Sequence, residues 1–222
     1  MTNNVAVIPV KGLLDSKSRL NRALAPQDKK KLITSMLRDV LSSVKESELF
    51  DQILVVSPDQ NVEREANLEA GYFVHQEGLG LNSGIRQATL LAIRARASSV
   101  AVLLADIPLI QPKDLSELYS IGNLAQRVVL SPSMKGGTNA LIREPPDLIS
   151  PAYGRWSFSN HLRAAQKIGA EVYSVSNRRL SFDIDTPEDL IMLEQRDPLA
   201  RTVTSQTLRE ISPVQVAARA SR

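Results

Sequence analysis

The sequence predicts an α/β fold in three layers, in which helices cover both faces of a mostly parallel central sheet. The first observation is that short runs rich in Val, Ile and Leu alternate with longer segments of helical period. Continuous apolar runs are typical of strands buried on both faces, as in parallel sheets. The second is the composition of an ordinary globular domain, since 43% of the 222 residues are hydrophobic and 23% are charged.

The predicted elements alternate along the chain. After the first strand, a helix opens at Pro26, a position that favours proline, and carries an apolar stripe from Leu32 to Val44. The predicted strands are Val5–Val10, Gln52–Ser57, Tyr72–His75, Val100–Ala105, Val128–Ser131 and Glu171–Val175. The other predicted helices are Asn61–Ala70, Ser83–Ala97, Pro112–Ile121, Ser157–Ile168 and Pro187–Gln195.

These elements are expected to form one domain, residues 1–196. Residues 197–222 differ, because Ser, Thr, Gln and Arg interrupt a weak apolar spacing, and we expect an extension that is flexible or docked on a partner. The stretch Val5–Val10 is too short for the apolar part of a signal peptide, and no apolar run is long enough to span a bilayer. The expected location is cytoplasmic, without a membrane partner.

The composition also narrows the chemistry. The chain has no cysteine, which excludes disulfides, thiolate metal sites and cysteine nucleophiles. The net charge of +3 is mildly basic, but aromatic residues make up only 4% of the chain, too few for a base-stacking platform. A local site for an anion is therefore expected, and a nucleic-acid partner is not.

The loop after the first strand is the first candidate site, because ligands bind beyond the carboxyl ends of strands in open parallel sheets. It follows Pro9 and brings Lys11, Lys17 and Arg19 together in a short stretch. Its early glycine, Gly12, produces neither a G-x-G-x-x-G nor a Walker pattern. Lysine and arginine can neutralise a triphosphate. The alternative is a solvated surface loop.

Three aspartates are candidates for binding a hard cation. Asp106 follows a fully apolar strand and so reaches the ligand edge of the sheet, where a carboxylate can bind magnesium. Asp183 and Asp185 alternate with apolar residues, so both point to one face of an extended segment. Thr186 is then the expected N-cap of the helix that opens at Pro187. The alternative in each case is an acid that only caps a turn.

Two further stretches offer polar groups for a small, oxygen-rich ligand. Thr138 and Asn139 follow a glycine pair that allows close backbone approach, although a hairpin turn would use the same residues. Gly154 and Ser157 precede a predicted helix whose free N–H groups can receive a phosphate or carboxylate. His161, inside that helix, is more typical of a structural hydrogen-bonding residue.

A glycine-rich turn before the helix Ser83–Ala97 is the last candidate. It contains Leu81 and Asn82, and a base or ribose can lie against such a loop, although turns of this type are common without a ligand. No Ser-His-Asp arrangement is evident, so hydrolysis by a protein nucleophile is not expected.

The candidate stretches occur in a characteristic order along the chain. They are K-S-R-L, A-D-I-P-L, G-G-T-N-A-L, Y-G-x-x-S-F-x-x-H and D-I-D-T-P-E-D-L. From Val5 to Leu193 the chain thereby resembles the 2-phospho-L-lactate guanylyltransferase family of coenzyme F-420 biosynthesis, which is related to the molybdenum-cofactor guanylyltransferases. The resemblance implies a Rossmann-like sandwich of the nucleotide-diphospho-sugar transferase type.

The resemblance also implies a reaction and its residues. GMP would pass from GTP to 2-phospho-L-lactate, phosphoenolpyruvate or 3-phospho-D-glycerate, with release of pyrophosphate and with Mg²⁺ as cofactor. By resemblance, Lys17 and Arg19 handle the triphosphate, Asp106 and Asp185 bind the metal with Asp183 as the alternative, and Thr138, Gly154 and Ser157 hold the phospho-acid. Lys17 and Asp106 are the expected catalytic residues. Pro9, Lys11, Leu81 and Asn82 complete the expected nucleotide site, and Asn139 completes the acceptor site.

The expected partners are GTP and the phospho-acid, with the next enzyme of the pathway and a second copy of the chain as further candidates. Two other functions stay open: a nucleotidyltransferase that acts on a molybdopterin or sugar phosphate, and a non-catalytic nucleotide-binding protein. Trp156 departs from the family pattern, because a small residue is expected between Gly154 and Ser157. It changes the expected shape of the acceptor pocket.

Overall fold

The computed structural model describes residues 2–13, 16–69, 71–122 and 126–211. The strands are β1 Asn4–Pro9, β2 Gln52–Ser57, β3 Tyr72–His75, β4 Ser99–Leu103, β5 Arg127–Pro132, β6 Thr138–Glu144 and β7 Glu171–Ser174. The helices are α1 Pro26–Glu46, α2 Glu63–Leu68, α3 Leu81–Arg94, α4 Pro112–Ser120, α5 Ser157–Lys167, α6 Pro187–Arg196 and α7 Val203–Ile211, with short 3-10 helices at Ser18–Arg22 and Gln60–Val62. None of these helices is both long and apolar enough to cross a membrane.

The strands form one sheet in the order β3-β2-β1-β4-β6-β5-β7, and its two faces pack against separate apolar clusters. In β1, Ala6 and Ile8 face the cluster that contains α1, α4 and α6, whereas Val5 and Val7 face the cluster that contains α3 and α5. Alternation along a strand that is buried on both faces requires apolar residues at every position. The predicted three-layer, mostly parallel arrangement is confirmed.

The apolar stripe predicted after Pro26 lies against the sheet as α1. Leu32, Leu37 and Val40 on this stripe are fully buried. Burial of each such side chain stabilises the fold by about 1.5–3 kcal/mol. This helix is therefore a main anchor of its layer.

One strand was not predicted. No strand was predicted between Val128–Ser131 and Glu171–Val175, but Thr138–Glu144 is β6, which pairs antiparallel with both β4 and β5. The glycine pair lies in the hairpin turn between β5 and β6, and the predicted ligand contact of this stretch stays a prediction. Arg143 obscured the apolar pattern, because a charged residue is rarely buried. Its guanidinium is nevertheless buried and donates hydrogen bonds to the carbonyl of Ile149 at 3.0 Å and to Thr89 Oγ1 at 2.8 Å.

The expectation of a flexible or partner-docked extension does not hold for residues 197–211, which fold back onto the body of the protein. The Asp39 carboxylate on α1 accepts hydrogen bonds from the backbone N–H groups of Val203 and Thr204, both at 2.8 Å. Leu208 on α7 is buried in the same cluster as α1. Residues 212–222 lie outside the described part of the chain.

The reversed direction of β6 determines which groups meet at the ligand edge of the sheet. The parallel strands β1 and β4 end there, at Pro9 and Leu103. Because β6 runs antiparallel to β4, it begins at that edge with Thr138. Residues from three strands that lie side by side can therefore face one ligand.

Candidate active site

A cleft of about 720 Å³ opens at this edge of the sheet and brings nearly all the predicted site residues together. The predicted residues that line it are Pro9, Lys11, Lys17, Arg19, Leu81, Asp106, Thr138, Asn139, Gly154, Ser157, Asp183 and Asp185. Asn82 lies beside the cleft instead. Its side-chain amide donates to the carbonyl of Tyr153 at 2.9 Å and accepts from the N–H of Tyr153 at 2.8 Å. Asn82 thus holds the loop before α5, and its predicted contact with the nucleotide stays a prediction.

Lys17 turns into the cleft from the loop after β1, whereas the other two cations of that loop, Lys11 and Arg19, stay exposed along the cleft. Lys17 precedes the 3-10 helix Ser18–Arg22 with a left-handed backbone, φ 54°. Such a conformation costs energy in a residue other than glycine and is common at functional sites. The loop therefore directs this one lysine inward.

The ammonium group of Lys17 lies between two carboxylates. Its Nζ contacts Asp106 Oδ2 and lies 2.5 Å from Asp185 Oδ1. The N–H of Ile184 donates to the carbonyl of Asp106 at 3.0 Å, so backbone contact fixes the two acidic segments side by side. Burial alone would lower the pKa of Lys17, but the two carboxylates outweigh it and raise the pKa, so the lysine stays charged.

The other two aspartates of the predicted metal site have opposite pKa shifts. Burial raises the pKa of Asp183, and the nearby Asp106 raises it further. Burial would also raise the pKa of Asp185, but Lys17 outweighs it and holds this pKa below its usual range. Asp185 is therefore the more firmly ionised of the pair.

A second lysine, Lys135, reaches the same acids from the turn between β5 and β6. Its Nζ lies 2.7 Å from Asp189, 3.6 Å from Asp185 and 3.8 Å from Asp183. The sequence prediction missed Lys135, although it stands directly before the glycine pair that was singled out. The position of this cation next to the glycine pair was the available signal.

The acids have a feature that fits a metal ion. Asp106 Oδ1 is buried and has no hydrogen-bond partner in the described part of the chain. A buried, unpaired carboxylate oxygen is costly unless a cation binds it, and oxygen ligands suit Mg²⁺. Over the same residues, no group of three or more His, Cys, Asp or Glu side chains forms a ready-made metal cluster. In this arrangement the Lys17 ammonium lies between Asp106 and Asp185, where a metal ion bound by both carboxylates would lie.

The opposite wall of the cleft carries hydroxyl groups at the N-terminus of α5. Ser157 Oγ donates to Thr138 Oγ1 at 3.2 Å, and the two residues are only 2% and 1% exposed, so they form the floor of the cleft. Gly154 has φ +132°, which favours glycine. The helix N-terminus adds free N–H groups and a positive dipole end, which favour an anion.

Asn139 supports the acids as well as lining the cleft. Its Nδ2 donates to the carbonyl of Leu180 at 2.9 Å and lies 3.5 Å from Asp183 Oδ1. The side chain thus ties β6 to the segment that carries Asp183. Its predicted contact with the phospho-acid stays a prediction.

Two neighbouring side chains that line the cleft, Arg155 and Trp156, contact each other, and Trp156 also lies against the β5–β6 turn. Trp156 is 60% exposed and has a left-handed backbone, φ 61°. A Cβ added to Gly136 would lie 3.8 Å from the Trp156 ring, so the ring lies against Gly136 in the β5–β6 turn. The guanidinium of Arg155 lies 5.6 Å from the centre of the same ring. Sequence reasoning did not assign Arg155, which also lines the cleft.

The chain is similar to known proteins over most of its length. The family model described as "Guanylyl transferase CofC like" matches residues 4–216. A phosphoenolpyruvate guanylyltransferase from Rubrobacter xylanophilus is 38% identical over 190 residues, which cover 85% of this chain and 92% of that protein. A 2-phospho-L-lactate guanylyltransferase from Methanocaldococcus jannaschii is 31% identical over 184 residues, covering 83% of this chain and 79% of that protein.

The fold also has counterparts among solved structures. A protein from Desulfovibrio desulfuricans G20, assigned to the nucleotide-diphospho-sugar transferases, superposes with a TM-score of 0.77 at 18% identity, and the match covers 99% of each chain. This likeness shows the fold, and it confirms the expected transferase-type sandwich. Together with the family match and the relatives above 30% identity, it leads to one assignment: the chain belongs to the CofC-like guanylyl transferase family.

Proposed function

We propose that this protein transfers GMP from GTP to a three-carbon phospho-acid, with release of pyrophosphate, as a step of coenzyme F-420 biosynthesis. The acceptor is phosphoenolpyruvate, 2-phospho-L-lactate or 3-phospho-D-glycerate. The names of the similar proteins from Rubrobacter and Methanocaldococcus support this activity. The expected cytoplasmic location, homodimer and contact with the next enzyme stay predictions.

The observation that carries the proposal is the division of the cleft into two walls with acids between them. Lys11, Lys17 and Arg19 lie on the side of β1, and they suit the triphosphate of GTP. Thr138 and Ser157 lie on the side of β6 and α5, where a smaller anion can bind. Donor and acceptor would then meet above the acids.

The chemistry requires no protein base. An oxygen of the acceptor phosphate attacks the α-phosphorus of GTP; the new P–O bond forms as the bond from the α-phosphorus to the bridging oxygen breaks, and pyrophosphate leaves with the electron pair. A phosphate monoester has a second pKa near 6, so at neutral pH the attacking oxygen has already lost its proton. The work left to the protein is positioning and charge neutralisation.

Mg²⁺ is the proposed cofactor, with Asp106 and Asp185 as its ligands and Asp183 as the alternative. The unpaired oxygen of Asp106 supports this assignment. A magnesium ion there would neutralise charge on the phosphates of GTP and of the leaving pyrophosphate. Lys17 would contact the triphosphate when it leaves the two carboxylates, and Lys135 would keep the acid cluster from excessive negative charge.

The mouth of the cleft supports a small acceptor. Trp156 lies against Gly136 of the β5–β6 turn and lines the cleft next to Ser157, so a bulky acceptor such as a molybdopterin would have to fit beside its ring. A small phospho-acid carries the phosphate and carboxylate that the Thr138 and Ser157 side of the cleft can bind.

An acceptor screen tests the proposal. Purified protein receives GTP and Mg²⁺ with each of the three phospho-acids, with a molybdopterin and with a sugar phosphate, and pyrophosphate and guanylylated product are measured by mass spectrometry. We expect product with at least one phospho-acid and loss of turnover in a folded Asp106→Asn variant. If none of the three phospho-acids yields pyrophosphate, the proposed reaction is wrong, and product with one of the larger acceptors would replace it.

A further inference from the structure

His161 lies directly behind the floor of the cleft, and one ring nitrogen contacts that floor while the other contacts the loop before α5. The residue is on α5, is fully buried and is absent from the lining of the cleft. Its Nδ1 lies 3.0 Å from Thr138 Oγ1, and its Nε2 accepts a hydrogen bond from the N–H of Ala152 at 2.8 Å. The imidazole thus connects the loop before α5 to a hydroxyl of the proposed acceptor site.

The backbone contact determines which ring nitrogen carries the proton. A backbone N–H can only donate, so Nε2 must be the unprotonated, accepting nitrogen. In a neutral imidazole the proton is then on Nδ1, and this N–H donates to Thr138 Oγ1. Burial, aided by Arg143, lowers the pKa of His161 to about 4, so the neutral form prevails near pH 7. The Tyr153 ring packs edge-on at 4.9 Å from the imidazole, which opposes rotation of the ring.

These contacts leave the hydroxyl of Thr138 free only to donate a further hydrogen bond. Its oxygen accepts from His161 Nδ1 and from Ser157 Oγ, and these two bonds use both of its lone pairs. Its own proton must therefore be donated elsewhere, and Thr138 lines the cleft. An acceptor with an anionic phosphate is a strong partner for such a donor.

We propose that His161 is a positioning residue that fixes the Thr138 hydroxyl as a hydrogen-bond donor to the phosphate of the acceptor. This inference rests on the proposed function, because it assigns the acceptor to the Thr138 side of the cleft. His161 does not touch the reacting atoms. It acts by orienting the hydroxyl proton of Thr138 towards the cleft. A freely rotating hydroxyl would point its proton there only part of the time.

Two substitutions separate this role from a purely structural one. In His161→Asn, the amide Nδ2 is attached to Cγ as Nδ1 is, so it can still donate to Thr138. In His161→Gln, the amide oxygen lies one atom further out, where it can replace Nε2 as acceptor for the N–H of Ala152. We expect His161→Gln to weaken binding of phosphoenolpyruvate or 2-phospho-L-lactate by about 10-fold or more, as expected for a lost hydrogen bond to a charged group.

In the same experiment, His161→Asn should keep acceptor binding close to that of the unaltered protein, and neither variant should change the KM for GTP. Acceptor affinity is measured by titration calorimetry with Mg²⁺ and does not depend on turnover. Equal acceptor affinity in His161→Gln and the unaltered protein, or a parallel change in the KM for GTP, contradicts the proposal. If the unaltered protein binds the acceptors without turning them over, only the proposed reaction fails.

Two further measurements complete the test, and the first keeps it decisive even if a variant unfolds. Nitrogen-15 NMR of the imidazole should show Nδ1 protonated at pH 7, and a proton on Nε2 would overturn the inference directly. A double-mutant cycle with Thr138→Val should show that His161→Gln adds nothing once the hydroxyl is gone. Additive losses of acceptor affinity would mean that His161 acts independently of Thr138.

Discussion

Lys17 has two possible partners that compete for one ammonium group. In this structure the ammonium forms ion pairs with both Asp106 and Asp185. A metal ion bound by the same two carboxylates would repel a neighbouring ammonium, whereas a triphosphate would attract it. Exchange of Lys17 between acids and nucleotide would therefore couple metal binding to nucleotide binding.

Lys17→Met should separate these two effects. Without the competing ammonium, we expect the nucleotide-free protein to bind Mg²⁺ more tightly, while kcat falls by about 10²–10³-fold because a donor to the developing phosphate charge is lost. Calorimetric titration with Mg²⁺ and steady-state kinetics measure the two changes. Lys11→Met is the matched control, since Lys11 is an exposed cation of the same cleft and should leave Mg²⁺ affinity unchanged. Weaker Mg²⁺ binding by Lys17→Met would contradict the competition.

His161 makes the stability of the protein depend on pH. Its pKa is about 4 in the folded protein against 6.5 for a free side chain, so the unfolded chain binds a proton that the folded chain does not. The contribution of His161 to the free energy of unfolding is fully present above pH 6.5 and is lost as pH falls towards 4. The loss is at most about 3 kcal/mol. Urea unfolding across this range should show a flatter profile in His161→Gln than in His75→Gln, which removes the other histidine. If the free energy of unfolding depends on pH in the same way in both variants, His161 is not the cause of the pH dependence.

At the residue scale, the sequence predicted the groups that follow strands and missed those whose role depends on distant neighbours. Asp106 was predictable because an apolar strand ends directly before it. Lys135 was not, because its acidic partners lie about fifty positions away and only the folded chain brings them together. Asn82 was predicted as a ligand contact, but its position relative to Tyr153 could be known only from the structure.

At the scale of elements, the N-terminus of α7 is capped partly by its own Thr202, which accepts from the N–H of Ser205 at 3.1 Å, and partly by a residue of another helix. Asp39 on α1 accepts from the first N–H groups of α7, which would otherwise lack partners. Local sequence around α7 contains no sign of this cap, and the polar residues of the segment suggested an extension. One of the groups that stabilise α7, the carboxylate of Asp39, lies 164 positions away in the sequence. The apolar periodicity of the segment itself therefore could not predict this helix.

Asp39→Ala should therefore destabilise the protein. We expect a loss of about 0.5–2 kcal/mol in the free energy of unfolding, as for other N-cap losses, together with faster amide exchange in α7. Glu194→Ala, an exposed position on α6, is the control and should stay within about 0.5 kcal/mol of the unaltered protein. Urea denaturation and hydrogen exchange measure both effects. Unchanged exchange in α7 would show that Asp39 does not hold the helix.

The predicted and observed strands differ for a related reason. The parallel strands were recognisable because burial on both faces requires continuous apolar runs, as in β1, β2 and β4. In β6, two polar residues precede the apolar run and Arg143 follows it. That arginine is tolerated because carbonyl and hydroxyl partners from two other segments satisfy two of its nitrogens.

At the scale of the whole molecule, nucleotide binding should stabilise the fold. GTP at about 100 times its dissociation constant would add about 2.7 kcal/mol if it binds only the folded chain, which for a protein of this size raises Tm by about 5–10 °C. Scanning calorimetry with GTP and Mg²⁺ measures the shift. We expect a smaller shift with ATP, and a smaller one in Asp106→Asn because a proposed metal ligand is lost. An equal shift in Asp106→Asn would remove this residue from metal-assisted nucleotide binding.

The antiparallel direction of β6, unique among the strands of the described residues, has an evolutionary consequence. Because β6 starts where β1 and β4 end, the groups proposed for the phospho-acid belong to a hairpin and a helix start that are separate in the chain from the loop after β1, which carries Lys17. We expect substitutions on that side of the cleft, such as at Trp156, to alter acceptor choice while the donor half stays intact. Relatives named for different phospho-acids are what such a division of labour allows.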